Sequence, residues 1–313
     1  MSIKGQSLAP RKGEAEQLEI ELERERLINR ASRGGKHHEV FKGIDDELWL
    51  WANTAGYREY ESLRKLLPAL PSEAVQTRFT GCSGDVTVTR GVAAYKLFKE
   101  LINKYLGNLS GLANILDFGC GWGRIVRLFL KDLDANRIWG VDCLPTIIEV
   151  CEQTNKWCNF RVVDPLPPTS FSDEMFDLIY SYSVFSHLSE VAHLKWLTEF
   201  ERLLRPGGLL IATTRPRQFI EYCNSLSRAS EARPPSISTA FSNMKQTLSD
   251  YDRGRYCHHP LGGGDTLDKS FFGETCIPKA YVKKHWTKEF AFLEYIESPN
   301  LQFQNTIVMR KRV

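Results

Sequence analysis

The chain has 313 residues, of which 42% are hydrophobic and 25% are charged, so its composition is that of a folded globular protein and not of a disordered one. Its 41 basic and 38 acidic side chains leave a formal net charge of only +3, which excludes an overall basic field directed at nucleic acid. No apolar run reaches the roughly 18 residues of a membrane span, and the first residues lack the apolar core of a signal peptide, so we expect a cytoplasmic protein.

The first elements in chain order are predicted to be helices. Residues 13–30 are strongly charged and favour an exposed helix, on which Leu18, Leu22 and Ile28 form a thin apolar stripe. Aromatic and aliphatic residues recur at mostly helical spacing over 44–70, which predicts further helices that cover a surface.

A polar stretch over 78–84 separates these helices from another helix predicted over 92–106. We expect residues 1–112 to form an N-terminal helical extension or cap, followed by the main domain over 113–313.

From residue 114 onward, short apolar runs alternate with amphipathic stretches, which is typical of a parallel sheet with crossover helices. All but the last of the predicted strands are followed by a helix-like segment. These strands cover residues 115–118, 137–141, 160–163, 176–181 and 209–214.

After the fifth strand the alternation lapses, and residues 216–282 are interpreted as an insertion that is long enough to carry a function. A helix is predicted over 279–287. Two β-like runs then follow over 290–296 and 303–310, separated by turn-forming residues at 297–300, so the chain should close with an antiparallel hairpin.

A glycine-rich turn follows the first predicted strand. Glycines at 119, 121 and 123 allow the backbone to turn sharply while a ligand lies against it. A helix predicted to begin near Arg124 would direct unpaired N–H groups at the turn and favour an anionic ligand group. Asp142 ends the second strand, where a carboxylate can accept hydrogen bonds from ribose hydroxyls. The pattern therefore predicts a ligand that contains a nucleoside.

A dinucleotide-binding fingerprint would require glycine at position 124, where this sequence has arginine. The substitution disfavours a nucleotide-dependent oxidoreductase, which is kept as an alternative.

Four runs resemble the class I S-adenosylmethionine-dependent methyltransferase family over about a third of the chain. They are ILDFGCGWGR (115–124), WGVDCLP (139–145), FDLIYSYSVFSHL (176–188) and FERLLRPGGLLIATT (200–214). FGCGWGR and SVFSHL are similar to a bacterial branch of that family. The resemblance implies an α/β fold with a Rossmann-like, doubly wound, seven-stranded sheet whose last strand is antiparallel, and the closing hairpin would supply the last two strands.

The resemblance also implies a set of residues that bind S-adenosylmethionine. Asp117 and the turn would hold the methionine part, Asp142 the ribose, and the residues at the end of the second and third strands the adenine, while the segment after strand four would lie beside the methyl group. The residues assigned to the cofactor in this way are Asp117, Phe118, Gly119, Cys120, Gly121, Trp122, Gly123, Arg124, Asp142, Cys143, Leu144, Val163, Asp164, Ser181 and Ser183.

His187 is the candidate catalytic base, because imidazole titrates near neutrality and suits the deprotonation of a hydroxyl. The alternative is that His187 only braces a helix and the cofactor loop. His258 and His259 lie in the insertion, where they would form part of a substrate lid, a metal site or an ordinary surface loop. The spacing of the eight cysteines lacks the short pairs of a zinc site, so no metal is predicted.

The acceptor is expected to be a small molecule. The segment after strand four has no Asn/Asp-Pro-Pro-aromatic motif, and no Pro-Cys nucleophile is found, so the sequence does not resemble the enzymes that methylate nucleic-acid bases. We expect transfer to an oxygen or nitrogen atom of a sugar, a saccharide or a secondary metabolite. A non-catalytic nucleoside-binding module of the same fold remains an alternative.

Overall fold

The computed structural model describes residues 12–228, 239–263, 266–298 and 304–313. Within these ranges the helices are α1 Lys12–Ser32, α2 His37–Phe41, α3 Asp46–Asn53, α4 Ala55–Glu59, α5 Glu61–Leu66, α6 Glu73–Thr80, α7 Gly84–Leu106, α8 Pro145–Thr154, α9 Glu190–Leu203, α10 Arg217–Arg228, α11 Met244–Asp252 and α12 Lys279–His285. The strands are β1 Ile115–Phe118, β2 Ile138–Asp142, β3 Asn159–Val162, β4 Phe176–Ser181, β5 Leu204–Thr214, β6 Cys257–Pro260, β7 Gly273–Cys276, β8 Phe290–Ile296 and β9 Asn305–Lys311.

Seven strands form one sheet in the order β3-β2-β1-β4-β5-β9-β8, and β6 pairs with β7 in a separate hairpin. β1 lies between β2 and β4 and is parallel to both. β9 is antiparallel to β5 and to β8. This arrangement confirms the predicted doubly wound sheet with an antiparallel last strand.

Alternate residues of the central strands point to opposite faces, and each face is covered by helices. Ile115 and Leu178 belong to a core shared with α7 and the N-terminal helices. Their neighbours Leu116 and Ile179 belong to a second core that includes Trp196 of α9. Because a strand with both faces buried needs apolar residues at successive positions, these strands appear in the sequence as mostly apolar runs.

The N-terminal helices share one continuous core with the sheet. The indole N–H of Trp49 donates to the Leu128 carbonyl at 3.0 Å. The buried Arg127 guanidinium donates to Pro68 O at 2.6 Å and to Asn53 Oδ1 at 3.3 Å. Side-chain hydrogen bonds thus join the first helices to the segment after the glycine turn. The predicted domain boundary at residue 112 stays a prediction.

The helix α1 was predicted correctly, but the residues that it buries lie outside the predicted apolar stripe. Leu18 and Leu22 are exposed, whereas Leu27 and Ala31 are buried against the domain. The spacing of few apolar residues on a charged helix does not determine which of them meets a neighbour.

Several predicted elements differ from the structure. The segment after the glycine turn is a 3-10 helix, Val126–Lys131, instead of an α-helix from Arg124. All six of its residues are buried, and its Leu128 carbonyl accepts from the Trp49 indole of α3. No helix connects β3 with β4.

Other elements begin or end elsewhere than predicted. α7 begins at Gly84, eight residues before its predicted start, after a helix stop at the left-handed Gly81. The insertion contains α10, α11 and the β6–β7 hairpin where no regular structure was predicted. Residues 299–300 of the predicted closing turn lie outside the described residues.

In the part of the chain that the structure describes, no helix is both long enough and apolar enough to cross a membrane.

Candidate functional site

The glycine turn after β1 is held against the end of β2. The backbone N–H groups of Gly119 and Cys120 both donate to the Val141 carbonyl, at 2.8 and 2.9 Å. Gly119 has φ +74°, in the left-handed region, and a Cβ at this position would lie 2.2 Å from Val184 Cγ2. Only glycine satisfies both the backbone conformation and this close approach.

Asp142 links the glycine turn to the end of β2. Its Oδ2 accepts from the Gly121 N–H at 3.0 Å, and its Oδ1 accepts from the Leu144 N–H at 3.1 Å. Burial raises the pKa of this carboxyl above its ordinary value, and the backbone donors oppose that shift. Because a carboxylate has about four acceptor positions, acceptor capacity remains for a ligand.

Asp117 lies at the end of β1 and is only 2% exposed. Burial raises the pKa of its carboxyl from 3.8 to about 8. At neutral pH this carboxyl is therefore protonated as long as no charged ligand lies beside it. A cationic group placed beside it would favour its ionised form.

The carboxyl ends of β1, β2, β3 and β4 surround one cavity of about 410 Å³. Fourteen of the sixteen residues predicted for the site line this cavity, and the exceptions are Gly123 and Ser181. Ser181 is fully buried within β4. The predicted residues on the cavity wall are Asp117, Phe118, Gly119, Cys120, Gly121, Trp122, Arg124, Asp142, Cys143, Leu144, Val163, Asp164, Ser183 and His187.

Trp122 contributes an unusual polar group to the wall. The residue is 3% exposed, and its indole N–H finds no acceptor among the described residues. Buried donors are almost always hydrogen-bonded in folded proteins, so this one is available to a ligand.

Ser183 follows β4 in a left-handed conformation, with φ +64°. Its backbone N–H donates to Thr213 Oγ1 at 2.7 Å, and its hydroxyl accepts from Gln304 Nε2 at 3.1 Å. Non-glycine residues in this conformation are found mostly where surrounding contacts impose it, often at functional sites.

His187 is anchored by the insertion. The Gly273 N–H donates to the His187 carbonyl at 2.7 Å, and the Thr275 N–H donates to the Ser186 carbonyl at 2.8 Å. Residues around β7 therefore pair with the segment after β4. This pairing brings Phe272 into a stack with the imidazole, with ring centres 5.1 Å apart.

The tautomer of His187 follows from its hydrogen bond. Its Nδ1 lies 2.8 Å from the Gly273 carbonyl, which can only accept, so Nδ1 carries the proton and Nε2 is an acceptor. Burial lowers the pKa of His187, while Glu274, whose Oε1 lies 3.6 Å from Nδ1, opposes that shift. Arg215 Nε lies 3.3 Å from Glu274 Oε2.

Sequence reasoning did not find several aromatic residues of the cavity. Phe79, at the end of α6, lies 3.5 Å from the position that a Cβ of Gly121 would occupy. Trp196, Phe271 and Phe272 also line the wall. No local pattern distinguishes these residues from ordinary core aromatics.

His258 and His259 do not line the cavity. Both belong to β6, and His258 Nδ1 lies 2.8 Å from Thr275 Oγ1. The segment that was expected to be a surface loop is therefore a strand of the β6–β7 hairpin. In the described ranges, no group of three or more His, Cys, Asp or Glu side chains is placed to hold a metal ion.

Comparison with known proteins identifies the central part of the chain. Residues 115–208 match the model of a family described as "Methyltransferase domain". Residues 115–208 of this chain are thus identified as a methyltransferase domain. The matched residues run from the start of β1 into β5, so they contain the glycine turn, Asp142 and His187.

Two curated methyltransferases resemble the chain. Phosphoethanolamine N-methyltransferase 1 of Zea mays is 26% identical over 202 residues, which cover 63% of this chain and 37% of the maize protein. Trans-aconitate 2-methyltransferase of Azoarcus sp. (strain BH72) is 30% identical over 125 residues, which cover 38% of this chain and 46% of that protein. The chain thus spans less than half the length of either relative.

A solved S-adenosylmethionine-dependent methyltransferase from Clostridium acetobutylicum ATCC 824 aligns with 70% of this chain and 92% of its own. The TM-score is 0.47 and the identity is 13%.

Proposed function

We propose that this chain is an S-adenosylmethionine-dependent methyltransferase that transfers a methyl group to an oxygen or nitrogen atom of a small molecule, such as a sugar, a saccharide or a secondary metabolite. The observation that carries the proposal is the cavity itself. The methyltransferase domain has its glycine turn, the Asp142 carboxylate and the segment after β4 on the wall of one cavity.

The residues of the cavity fit the cofactor. Asp142 has acceptor positions left for the ribose hydroxyls, and Asp117 would become ionised beside the methionine ammonium. Trp122 offers a buried N–H that has no acceptor in the described ranges. Arg78 and Arg124 line the same cavity and can pair with the methionine carboxylate.

When bound, S-adenosylmethionine supplies a methyl group on a positively charged sulfur, which an oxygen or nitrogen nucleophile takes up by in-line displacement. The protein mainly has to orient the acceptor and, for a hydroxyl, to remove its proton.

His187 is proposed as the group that removes this proton. Its Nδ1–H is held by the Gly273 carbonyl, which leaves Nε2 as the basic atom of a ring that lines the cavity. Burial lowers its pKa, so the imidazole is neutral and able to accept a proton at physiological pH. Glu274 stabilises the imidazolium that forms, because its carboxylate lies 3.6 Å from Nδ1.

The names of the two curated relatives describe small acceptors, an amine with a phosphate group and a tricarboxylic acid. They support a small-molecule acceptor in preference to nucleic acid.

Incubation with S-adenosylmethionine labelled on its methyl group tests the proposal. A cell extract is separated by ultrafiltration into small molecules and macromolecules, and each fraction is offered to the protein. We expect label to enter compounds of the small-molecule fraction. Label that enters only the macromolecules, or no transfer into either fraction, contradicts the proposal.

The role of His187 is tested by H187Q, with H259Q as a matched control away from the cavity. The proposal predicts that H187Q loses most of its turnover, while its affinity for S-adenosylhomocysteine changes little. A parallel loss of affinity and turnover would identify His187 as a brace and not as a base.

A further inference from the structure

Glu274 of β7 lies between the imidazole of His187 and one arginine. The residue is buried, with 6% of its surface exposed. Its Oε1 lies 3.6 Å from His187 Nδ1, and its Oε2 accepts from Arg215 Nε at 3.3 Å. Each carboxylate oxygen therefore faces a different partner. Because a buried carboxylate without a cation is strongly unfavourable, Arg215 stabilises the ionised form of Glu274.

Arg215 is itself held in place by two contacts. It follows β5 directly, and its backbone pairs with that of Cys276 in an isolated parallel bridge. Its guanidinium carbon lies 4.4 Å from the centre of the Phe219 ring in α10, and Phe219 is buried. Since the face of an aromatic ring attracts a cation, this contact restricts the position of the guanidinium. The start of the insertion, through α10, and its later part, through β7, thus both meet Arg215.

Few other charged groups surround the imidazole. Among the described residues, the ion pairs of Glu274 are those with Arg215 and His187. His258 of β6 is near enough for the charge of His187 to lower its pKa, but its own Nδ1 is engaged with Thr275 Oγ1. None of the charged residues on the cavity wall pairs with His187 in the part of the chain that the structure describes; they are Arg78, Asp117, Arg124, Asp142 and Asp164.

Glu274 and Arg215 act on His187 in opposite directions. Burial has the largest effect and lowers the pKa of His187, while Glu274 raises it and Arg215 lowers it. Because the Gly273 carbonyl already accepts from Nδ1, Glu274 acts on the ring through its charge and not through a hydrogen bond. The imidazole is therefore neutral before it takes up a proton and has a carboxylate beside it afterwards. This arrangement requires that the carboxylate stay ionised and in place.

We propose that Arg215 is a positioning residue for proton removal by His187, and that it acts by keeping the Glu274 carboxylate ionised and fixed beside the imidazole. Arg215 does not line the cavity, so its effect on the reaction passes through Glu274. The inference rests on the proposed function, because it concerns the base of the same cavity. It also gives the insertion a role in the reaction, since Glu274 and the Phe219 ring both belong to it.

A double-mutant cycle on Arg215 and Glu274 tests the inference in the full chain. Rates of methyl transfer are measured with labelled S-adenosylmethionine and the small-molecule fraction of a cell extract, at pH 8, where His187 is neutral. We expect R215M to lower the rate by about tenfold or more, because even a small displacement of a catalytic group costs that much. In an E274Q background, R215M should change the rate by less than about twofold, since the carboxylate on which Arg215 acts is gone.

Three further variants complete the cycle. R215K should recover part of the rate, because lysine keeps a cation opposite Glu274. R217M is the matched control and should keep the native rate, since Arg217 lies at the start of α10 and pairs with Glu221 and Asp252. Titration with S-adenosylhomocysteine should give the native affinity in every variant, which also shows that each is folded. If R215M does not fold, R215Q takes its place, because its amide can still donate to Glu274 but carries no charge.

The dependence of the rate on pH gives an independent readout. Adding R215M to E274Q should move the acid limb of the rate profile to higher pH, because it removes the charge that lowers the pKa of His187. A residue that only supports the fold would not move this limb.

The outcomes separate the inference from the function on which it rests. A native chain that transfers no methyl group contradicts the proposed function. A native rate in R215M, or an effect of R215M that is as large in the E274Q background as in the native chain, overturns the inference and leaves the proposed function standing.

Discussion

Replacing Asp117 with asparagine should make the protein more stable and less able to bind its cofactor. Burial raises the pKa of Asp117 from 3.8 to about 8, so at pH 7 the folded protein holds a proton that the unfolded chain has released. The contribution of this group to stability is therefore complete below pH 3.8 and is lost as the pH rises toward 8. Asparagine is of similar size and does not titrate.

The magnitude follows from the same values. Each pH unit between the unfolded pKa of 3.8 and pH 7 lowers the free energy of unfolding of the native chain by about 1.4 kcal/mol. The free energy of unfolding of D117N should therefore exceed that of the native chain by up to about 4 kcal/mol at pH 7. The difference should shrink steadily on acidification and disappear near pH 4.

Urea unfolding at several pH values between 4 and 8 measures this difference, as a shift of the midpoint at constant slope. D177N is the matched control, because Asp177 lies near the start of β4, at the opposite end of the sheet. Its carboxylate accepts hydrogen bonds from the Asn114 N–H at 3.0 Å and from Arg205 Nη1 at 3.0 Å. D177N should lose stability at pH 7. A D117N variant that is less stable than the native chain at pH 7, or whose gain does not depend on pH, would refute the reasoning.

The same substitution should weaken binding of S-adenosylhomocysteine by about tenfold or more, because an amide cannot offer the ionised acceptor that a methionine ammonium favours. Equal affinity in D117N would mean that Asp117 does not face the ammonium. Stability gained where function is lost is the pattern expected of a residue retained for a site.

Three further changes test other parts of the account. G119A should lower the free energy of unfolding by at least about 1 kcal/mol, because alanine is strained in a left-handed backbone and its Cβ would lie 2.2 Å from Val184 Cγ2. Adding V184A should restore part of this loss in thermal unfolding. An unchanged melting temperature in G119A would contradict the prediction. R127M should destabilise the protein by about 3 kcal/mol, since it leaves several buried acceptors unpaired. Limited proteolysis of this variant should then begin in the first helices. Cleavage that starts elsewhere would argue against the docking of these helices through Arg127. E274Q should lower the pKa of His187 further, because it removes the charge that opposes the effect of burial. The acid limb of the profile of methyl-transfer rate against pH should therefore move to lower pH. A shift to higher pH would contradict the role assigned to Glu274.

The parts of the fold that sequence reasoning predicted best are those where local pattern and tertiary environment agree. β1 and β4 have the predicted bounds because nearly all of their residues are buried and most of them are apolar. β3 lies one residue from its prediction, and its residues are half-buried or exposed, so its pattern is weaker. Asp142 was found from its position after a strand and its distance from the turn.

The remaining differences arise from contacts that no local pattern contains. The segment after the glycine turn has the apolar content of an α-helix, but it forms a fully buried 3-10 helix whose Leu128 carbonyl accepts from Trp49 of α3. Phe272 reaches His187 only because the insertion pairs with the segment after β4. The cavity wall formed by α6 and by the insertion therefore could not be assigned from sequence, while the wall formed by the strand ends could.

The central claim is that the cavity binds S-adenosylmethionine, and calorimetric titration with S-adenosylhomocysteine tests it most directly. The account predicts saturable binding at one site per chain, no comparable binding of NAD, and weaker binding in D142A under conditions where thermal unfolding shows that variant to be folded. A native chain that prefers NAD, or that is folded and binds no S-adenosylhomocysteine, would contradict it.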